Sequence, residues 1–288
     1  MLSRLALLLP LLLASAALAQ RPAGIGAVYG AVGYMAPDDE LTADGESQLI
    51  EGNFSVLSAT LGIEAHFVKV AGLTGTLGVA FDFAQAKRAL GDEPFDSGFA
   101  PQNVRPYAHL SGDAFVATLG YLRDIGANQD DAEADDVNTD GQDAVWLGLS
   151  GRYEVGPAAV FAGGDAFLTR PVTRAPATGP AEFDFGDVYV VHGGAAVRSR
   201  MVELGVRVQY LTSTESSTQA GSGDTRRAQV GLTPYLRIDP EGDPVHFALM
   251  MGARGGLNQE YAPFGITLGG RSVPAPRSPI SLSLRIDI

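Results

Sequence analysis

From residue 24 to its last residue the chain alternates apolar and polar positions with a period of two, the pattern of strands with two unlike faces. In 201–210 Val202, Leu204, Val206, Val208 and Tyr210 fall on one face, and Glu203, Gly205, Arg207 and Gln209 on the other. The same division separates Leu73, Leu77, Val79, Phe81 and Phe83 from Thr74, Thr76, Gly78, Ala80 and Asp82. It separates Val145, Leu147, Leu149, Tyr153 and Val155 from Trp146, Gly148, Ser150, Arg152 and Glu154, and it recurs at 228–238 and 245–254. The final segment sets Ile280, Leu282, Leu284, Ile286 and Ile288 against Ser281, Ser283, Arg285 and Asp287. These segments are about ten residues long, the length of a tilted strand that crosses a bilayer.

The breaks between segments alternate as well. Short ones at 69–72, 111–113, 155–157, 198–200 and 239–243 carry Gly, Pro, Asp or Arg-Ser-Arg and suit tight turns. Long polar ones lie at roughly 36–50, 87–102, 125–142, 170–185, 213–225 and 258–278. Together they delimit twelve strands, at roughly 24–35, 53–68, 73–85, 104–110, 113–124, 143–155, 157–169, 186–198, 201–212, 226–239, 244–257 and 279–288. The number is ten or fourteen if 104–110 or the Pro-rich 258–278 stretch is read otherwise. An even number leaves both termini on one side.

One face of these strands is large and branched, while the other mixes Gly, Ser, Thr and Ala with charges. A soluble β-sandwich also alternates, but its core wants the reverse of that distribution. Lipid cannot satisfy a free strand edge, so strands with such an outer face are expected to close on themselves. The expected fold is therefore all-β, a closed antiparallel transmembrane barrel.

Composition narrows the function. Apolar residues make up 45% of the 288 and charged residues 18%, where soluble domains carry about 25% charge. Lys and Arg number 20 against 33 Asp and Glu, a net charge of −13, which gives no electrostatic reason to approach nucleic acid. The absence of Cys excludes disulfides, thiolate metal sites and a thiol nucleophile. Residues 1–19 combine Arg4, an apolar run from Leu5 to Ala16 and Ala17-Leu18-Ala19, and read as a secretory signal peptide cleaved after Ala19. Residues 20–288 then form a single domain, and no later apolar run reaches the length of a transmembrane helix.

The signal at Met1–Ala19, the Cys-free alternating strands, the alternation of short turns with long loops and the terminal strand Ile280–Ile288 resemble bacterial outer-membrane β-barrel proteins. The resemblance covers the whole mature chain and departs at the last residue, Ile288, where the class commonly ends in Phe. It implies a Gram-negative outer-membrane location, contact with outer-membrane lipid, insertion by the barrel-assembly machinery, periplasmic turns and outward loops. It also implies aromatic girdles, with Tyr34, Phe83, Tyr121 and Tyr210 near the outer strand ends and Phe67, Phe115, Tyr153 and Phe247 near the periplasmic ends.

The inward faces are then expected to carry Glu64 and His66, Asp82, Arg152, Glu154, Glu203, Arg207, Arg227, Arg237, His246, Arg254, Arg285 and Asp287. Charges of both signs around a water-filled lumen filter small solutes or ions by sign and size, as in a porin-like passive channel. Gly78, Gly148, Gly205 and Gly252, with Ala80, leave room there for water. The alternative is that the charges pair across strands and fill the interior, making a closed barrel that serves as a scaffold or as a binding or adhesion surface through its long acidic loops. A third and weaker reading is an outer-membrane enzyme.

In the acidic loop 125–142, Asp136, Asn138, Asp140 and Gly141 match the start of a calcium loop, but the twelfth position is Leu147 rather than a bidentate Glu. Calcium is the one cofactor the sequence raises, against a solvated acidic loop. No catalytic constellation is expected. His66, His109 and His246 fall toward the periplasmic strand ends, the wrong side for lipase- or protease-like chemistry, His192 has no Ser or Asp partner at local spacing, and no HExxH, Gly-x-Ser-x-Gly or phosphate-binding loop is present. Trp146, the only Trp, reads either as an inward side chain that stacks a sugar or narrows the mouth, or as an interface residue one register step away.

Overall fold

The computed structural model describes residues 25–35, 39–41, 47–49, 53–70, 72–89, 95–96, 98–125, 143–170, 172–174, 181–184, 187–214, 217–218, 228–238, 245–251, 253–254, 266–268, 271–273 and 280–288. The expected signal peptide, Met1–Ala19, and the expected calcium loop lie outside them. The described residues contain no helix.

The long strands are β1 Gly26–Met35, β2 Asn53–Val70, β3 Leu73–Ala89, β4 Ala100–Ser111, β5 Phe115–Asp124, β6 Ala144–Val155, β7 Ala158–Thr169, β8 Val188–Ser199, β9 Val202–Ser213, β10 Ala228–Ile238, β11 Val245–Met251 and β12 Ile280–Asp287. Each follows from two-residue periodicity interrupted by turn residues. Gly72 and Gly156 adopt φ of 80° and 58° in the β2–β3 and β6–β7 turns, the left-handed region that an L side chain disfavours. Between β8 and β9 the turn places Arg200 at φ 26°.

Consecutive strands pair antiparallel throughout, from β1–β2 to β11–β12. The last strand pairs with the first, in a register that sets Val28 against Ile286 and Tyr34 against Ile280. Backbone bonds from Ile25 N to Ile288 O (2.7 Å) and from Ile288 N to Gly26 O (2.8 Å) tie the two ends. The result is a curled antiparallel sheet with a convex and a concave face. Two β-bulges interrupt it, one near Phe67 between β2 and β3 and one at Gln102 between β3 and β4.

The convex face carries the exposed apolar residues, among them Leu61, Leu119, Leu149, Val191 and Leu204. Leu149 is 61% exposed, so these side chains find no protein to pack against. A contiguous apolar surface of that extent marks a lipid interface. Tyr34 and Tyr210 at one end, and Phe67, Phe115 and Tyr153 at the other, stand exposed where the girdles were expected.

Candidate functional site

The concave face inverts the usual rule that charge stays outside. Glu64, Asp82, Arg105, Glu203, Arg207 and Arg237 are all buried, with Arg105 and Arg207 only 2% exposed. Buried charge is tolerated where it is paired, and here most of it is. Arg105 meets Asp82 at 2.6 Å, and Asp82 also accepts from Thr60 at 2.7 Å. A second network crosses four strands. Tyr29 and Tyr107 share a hydroxyl contact of 2.7 Å, Tyr107 donates to Glu64 at 2.8 Å, and Arg285 bridges Glu64 and Asp287 at 2.8 Å each. In the third, Arg152 grips Glu203 with two nitrogens at 3.1 and 2.7 Å and Glu154 at 2.7 Å, while Tyr235 donates to Glu203 at 2.8 Å.

The interior aromatic rings are held in a repeated way. Tyr29 faces Gly62 across β1 and β2, Tyr107 faces Gly78, Trp146 faces Gly120, Phe161 faces Gly194 and Tyr235 faces Gly205, each pair in direct register. In every case the ring occupies the volume that a Cβ on the glycine would take. A residue without a side chain lets the neighbouring ring lie flat along the wall, the aromatic rescue of strand glycines. This corrects the expectation that Gly78 and Gly205 leave room for water, because each is the seat of a tyrosine ring. Gly148 is covered likewise, by the Asp165 carboxylate.

Trp146 is buried on the concave face and donates to Asp165 at 2.9 Å, which decides between its two readings in favour of the inward one. It stacks on Phe167 at 6.1 Å and meets His109 edge-on at 6.0 Å. His109 and His66 contact Thr118 and Thr76 at 2.8 and 2.9 Å.

Of the residues that the sequence marked for the interior, Glu64, Asp82, Arg152, Glu154, Glu203 and Arg285 belong to these networks, and Arg207 and Arg237 are buried on β9 and β10. Arg254 pairs through its backbone with Gly231. Arg227, Asp136, Asn138 and Asp140 lie outside the described residues. Sequence reasoning missed Arg105, Asp165 and the tyrosines Tyr29, Tyr107 and Tyr235. Arg105 and Asp165 alternate correctly within their strands and were legible from period alone. The tyrosines were not, because a tyrosine reads as apolar until its hydroxyl has a partner.

The outer strand ends are clasped by two aspartates. Asp143 accepts from Tyr121 (2.6 Å), Arg123 (2.6 Å) and the Asp124 backbone N–H (3.0 Å), and Asp187 accepts from the Thr169 N–H at 2.9 Å. Burial alone raises the Asp143 carboxyl, but the bonds from Tyr121, Asp124 and Arg123 outweigh it and hold the group below the ordinary aspartate range.

No protein-family model and no curated protein sequence matches the chain. Solved structures do match it in fold. An outer-membrane channel of Pseudomonas putida F1 superposes with a TM-score of 0.72 at 13% identity, over 93% of this chain and 96% of that one. The translocator domain of the autotransporter NalP from Neisseria meningitidis superposes with a TM-score of 0.55 at 10% identity, over 98% and 95%. The chain thus has the fold of the bacterial outer-membrane β-barrel proteins, and its convex apolar belt is the lipid-facing surface of that fold.

Proposed function

We propose that the chain is an outer-membrane channel, a closed barrel of twelve strands whose narrow polar interior passes small solutes or ions by diffusion. The observation that carries this reading is the seating of interior rings on glycines. Bulky side chains that could cross the interior are laid along its wall instead, on a circumference between the eight strands that side chains fill and the sixteen that leave a wide pore. The fold shared with a protein described as an outer-membrane channel supports it. Because the charges are paired, we expect weak discrimination between ions of opposite sign rather than a filter by sign. The role is not enzymatic, and residence in the outer membrane and insertion by the barrel-assembly machinery belong to the same reading.

A second reading is a closed barrel acting as a scaffold or as a surface for binding through its loops. It is favoured by the near-complete burial of Gln102, Asn103, Arg105 and Arg207, which an open lumen would expose. Single-channel recording of the refolded protein in a planar bilayer separates the two. The channel reading expects stable ohmic steps that change when Arg152, Arg207 or Arg237 is neutralised. Silence from protein that shows the gel shift of a folded barrel before and after heating overturns it in favour of the second.

A further inference from the structure

The two-residue turns Gly156-Pro157, between β6 and β7, and Arg200-Met201, between β8 and β9, are neighbours at the end of the sheet that holds both termini. The bond from Arg198 N to Pro157 O, at 2.7 Å, joins them. Where the first residue of such a turn has positive φ, glycine is favoured, and Gly156 takes that place at φ 58°. The same place in the β8–β9 turn belongs to Arg200 at φ 26°, the one residue other than glycine with positive φ among the described residues. A side chain there strains the backbone where glycine would not. Strain kept at one site while its neighbour avoids it points to a use for the guanidinium.

On the convex face Val155, Ala158, Val197 and Leu204 stand in one row, each paired in register with the next across β6 to β9. All four are exposed. One step nearer the turn, Val202 and Ile238 are paired across β9 and β10 and are exposed as well. The lipid-facing surface therefore runs up to the β8–β9 turn. Arg200 itself is exposed and has no ion pair or hydrogen bond among the described residues. An unpaired guanidinium at the edge of an apolar surface stands where the phosphates of a bilayer begin.

We infer that the β8–β9 turn is a docking point for an anionic phospholipid of the leaflet at the short-turn end, the periplasmic one in this fold. Arg200 donates to the lipid phosphate, and the acyl chains lie along the row from Val155 to Leu204. A guanidinium presents its N–H groups as a planar fork that phosphate oxygens accept two at a time. Net negative charge on the lipid strengthens the contact. The inference rests on the lipid-facing surface of the fold and holds whether or not the barrel conducts.

The test uses the full-length protein folded at low salt in vesicles of phosphatidylcholine, with and without phosphatidylglycerol, and reads the folding equilibrium by denaturant. Arg200→Gly relieves the turn and removes the charge, so the variant is expected to fold in both lipids. Adding phosphatidylglycerol should favour wild type over Arg200→Gly by roughly fivefold. Arg200→Lys keeps a cation on the same backbone and should retain most of that gain. Arg123 is exposed but held by Asp143 at 2.6 Å, so Arg123→Gln should respond equally to the two lipids. The following turn carries Asp239, Glu241 and Asp243 in the sequence. If Arg200 served that turn instead, Arg200→Gly would lose the same stability in both lipids, and this result overturns the docking point. A lipid-dependent change as large for Arg123→Gln overturns it too, as does the same gain from inorganic phosphate added to phosphatidylcholine vesicles.

Discussion

The ring of Tyr107 on β4 lies over Gly78, its direct partner on β3, in the space a side chain there would fill, and this seat lets its hydroxyl reach Glu64 at 2.8 Å. One glycine therefore sets the position of a buried carboxylate network that runs on to Arg285 on the last strand.

Gly78→Val should expel that ring. Overpacking a filled site costs about 1 to 3 kcal/mol, read as a lower temperature for the gel shift of the folded protein. Tyr107→Ala added to the same chain should recover part of the loss. Equal stability of Gly78→Val and wild type would show that the ring is not seated there.

Glu203→Gln leaves the Arg152 guanidinium, 10% exposed, without its two-point partner. Removing one member of a buried pair costs about 3 to 5 kcal/mol when the other charge is stranded, and the Glu154 contact that Arg152 keeps should hold the loss below that range. Denaturant unfolding in micelles measures it, and the double variant Arg152→Gln with Glu203→Gln should lose less than the sum of the single losses. Additive losses would show that the two groups do not interact.

The Asp143 clasp should open in acid. Its carboxyl is held below the usual range when folded, so its contribution is fully present above the unfolded value and is lost as pH falls through the lower folded one. Hydrogen exchange at the Asp124 amide, which donates to Asp143, should therefore lose protection below about pH 4. In Asp143→Asn that dependence should vanish.

Leu119, 57% exposed in the middle of β5, should face the bilayer interior. Leu119→Arg is expected to cost about 2 to 4 kcal/mol of folding free energy in vesicles. Little change there would place Leu119 outside the hydrocarbon region.

The two-residue period by itself determined which segments are strands and which face each residue takes, because successive side chains of a strand point to opposite sides whatever it pairs with. Leu149 outward follows from it, whereas Trp146, open between two readings on the period alone, is placed inward by its burial and its bond to Asp165. What it could not determine is who meets whom across the interior. Arg152 and Glu203 stand 51 residues apart, and Glu64 and Arg285 stand 221 apart, and their meeting is decided only when the sheet curls and β12 pairs with β1. The glycines show the same limit, since Gly78 looks like open space in the sequence and becomes a seat only beside Tyr107. The bulge at Gln102 belongs to the tertiary structure as well: a register slip is a property of two strands, and alternation along one strand carries no sign of it.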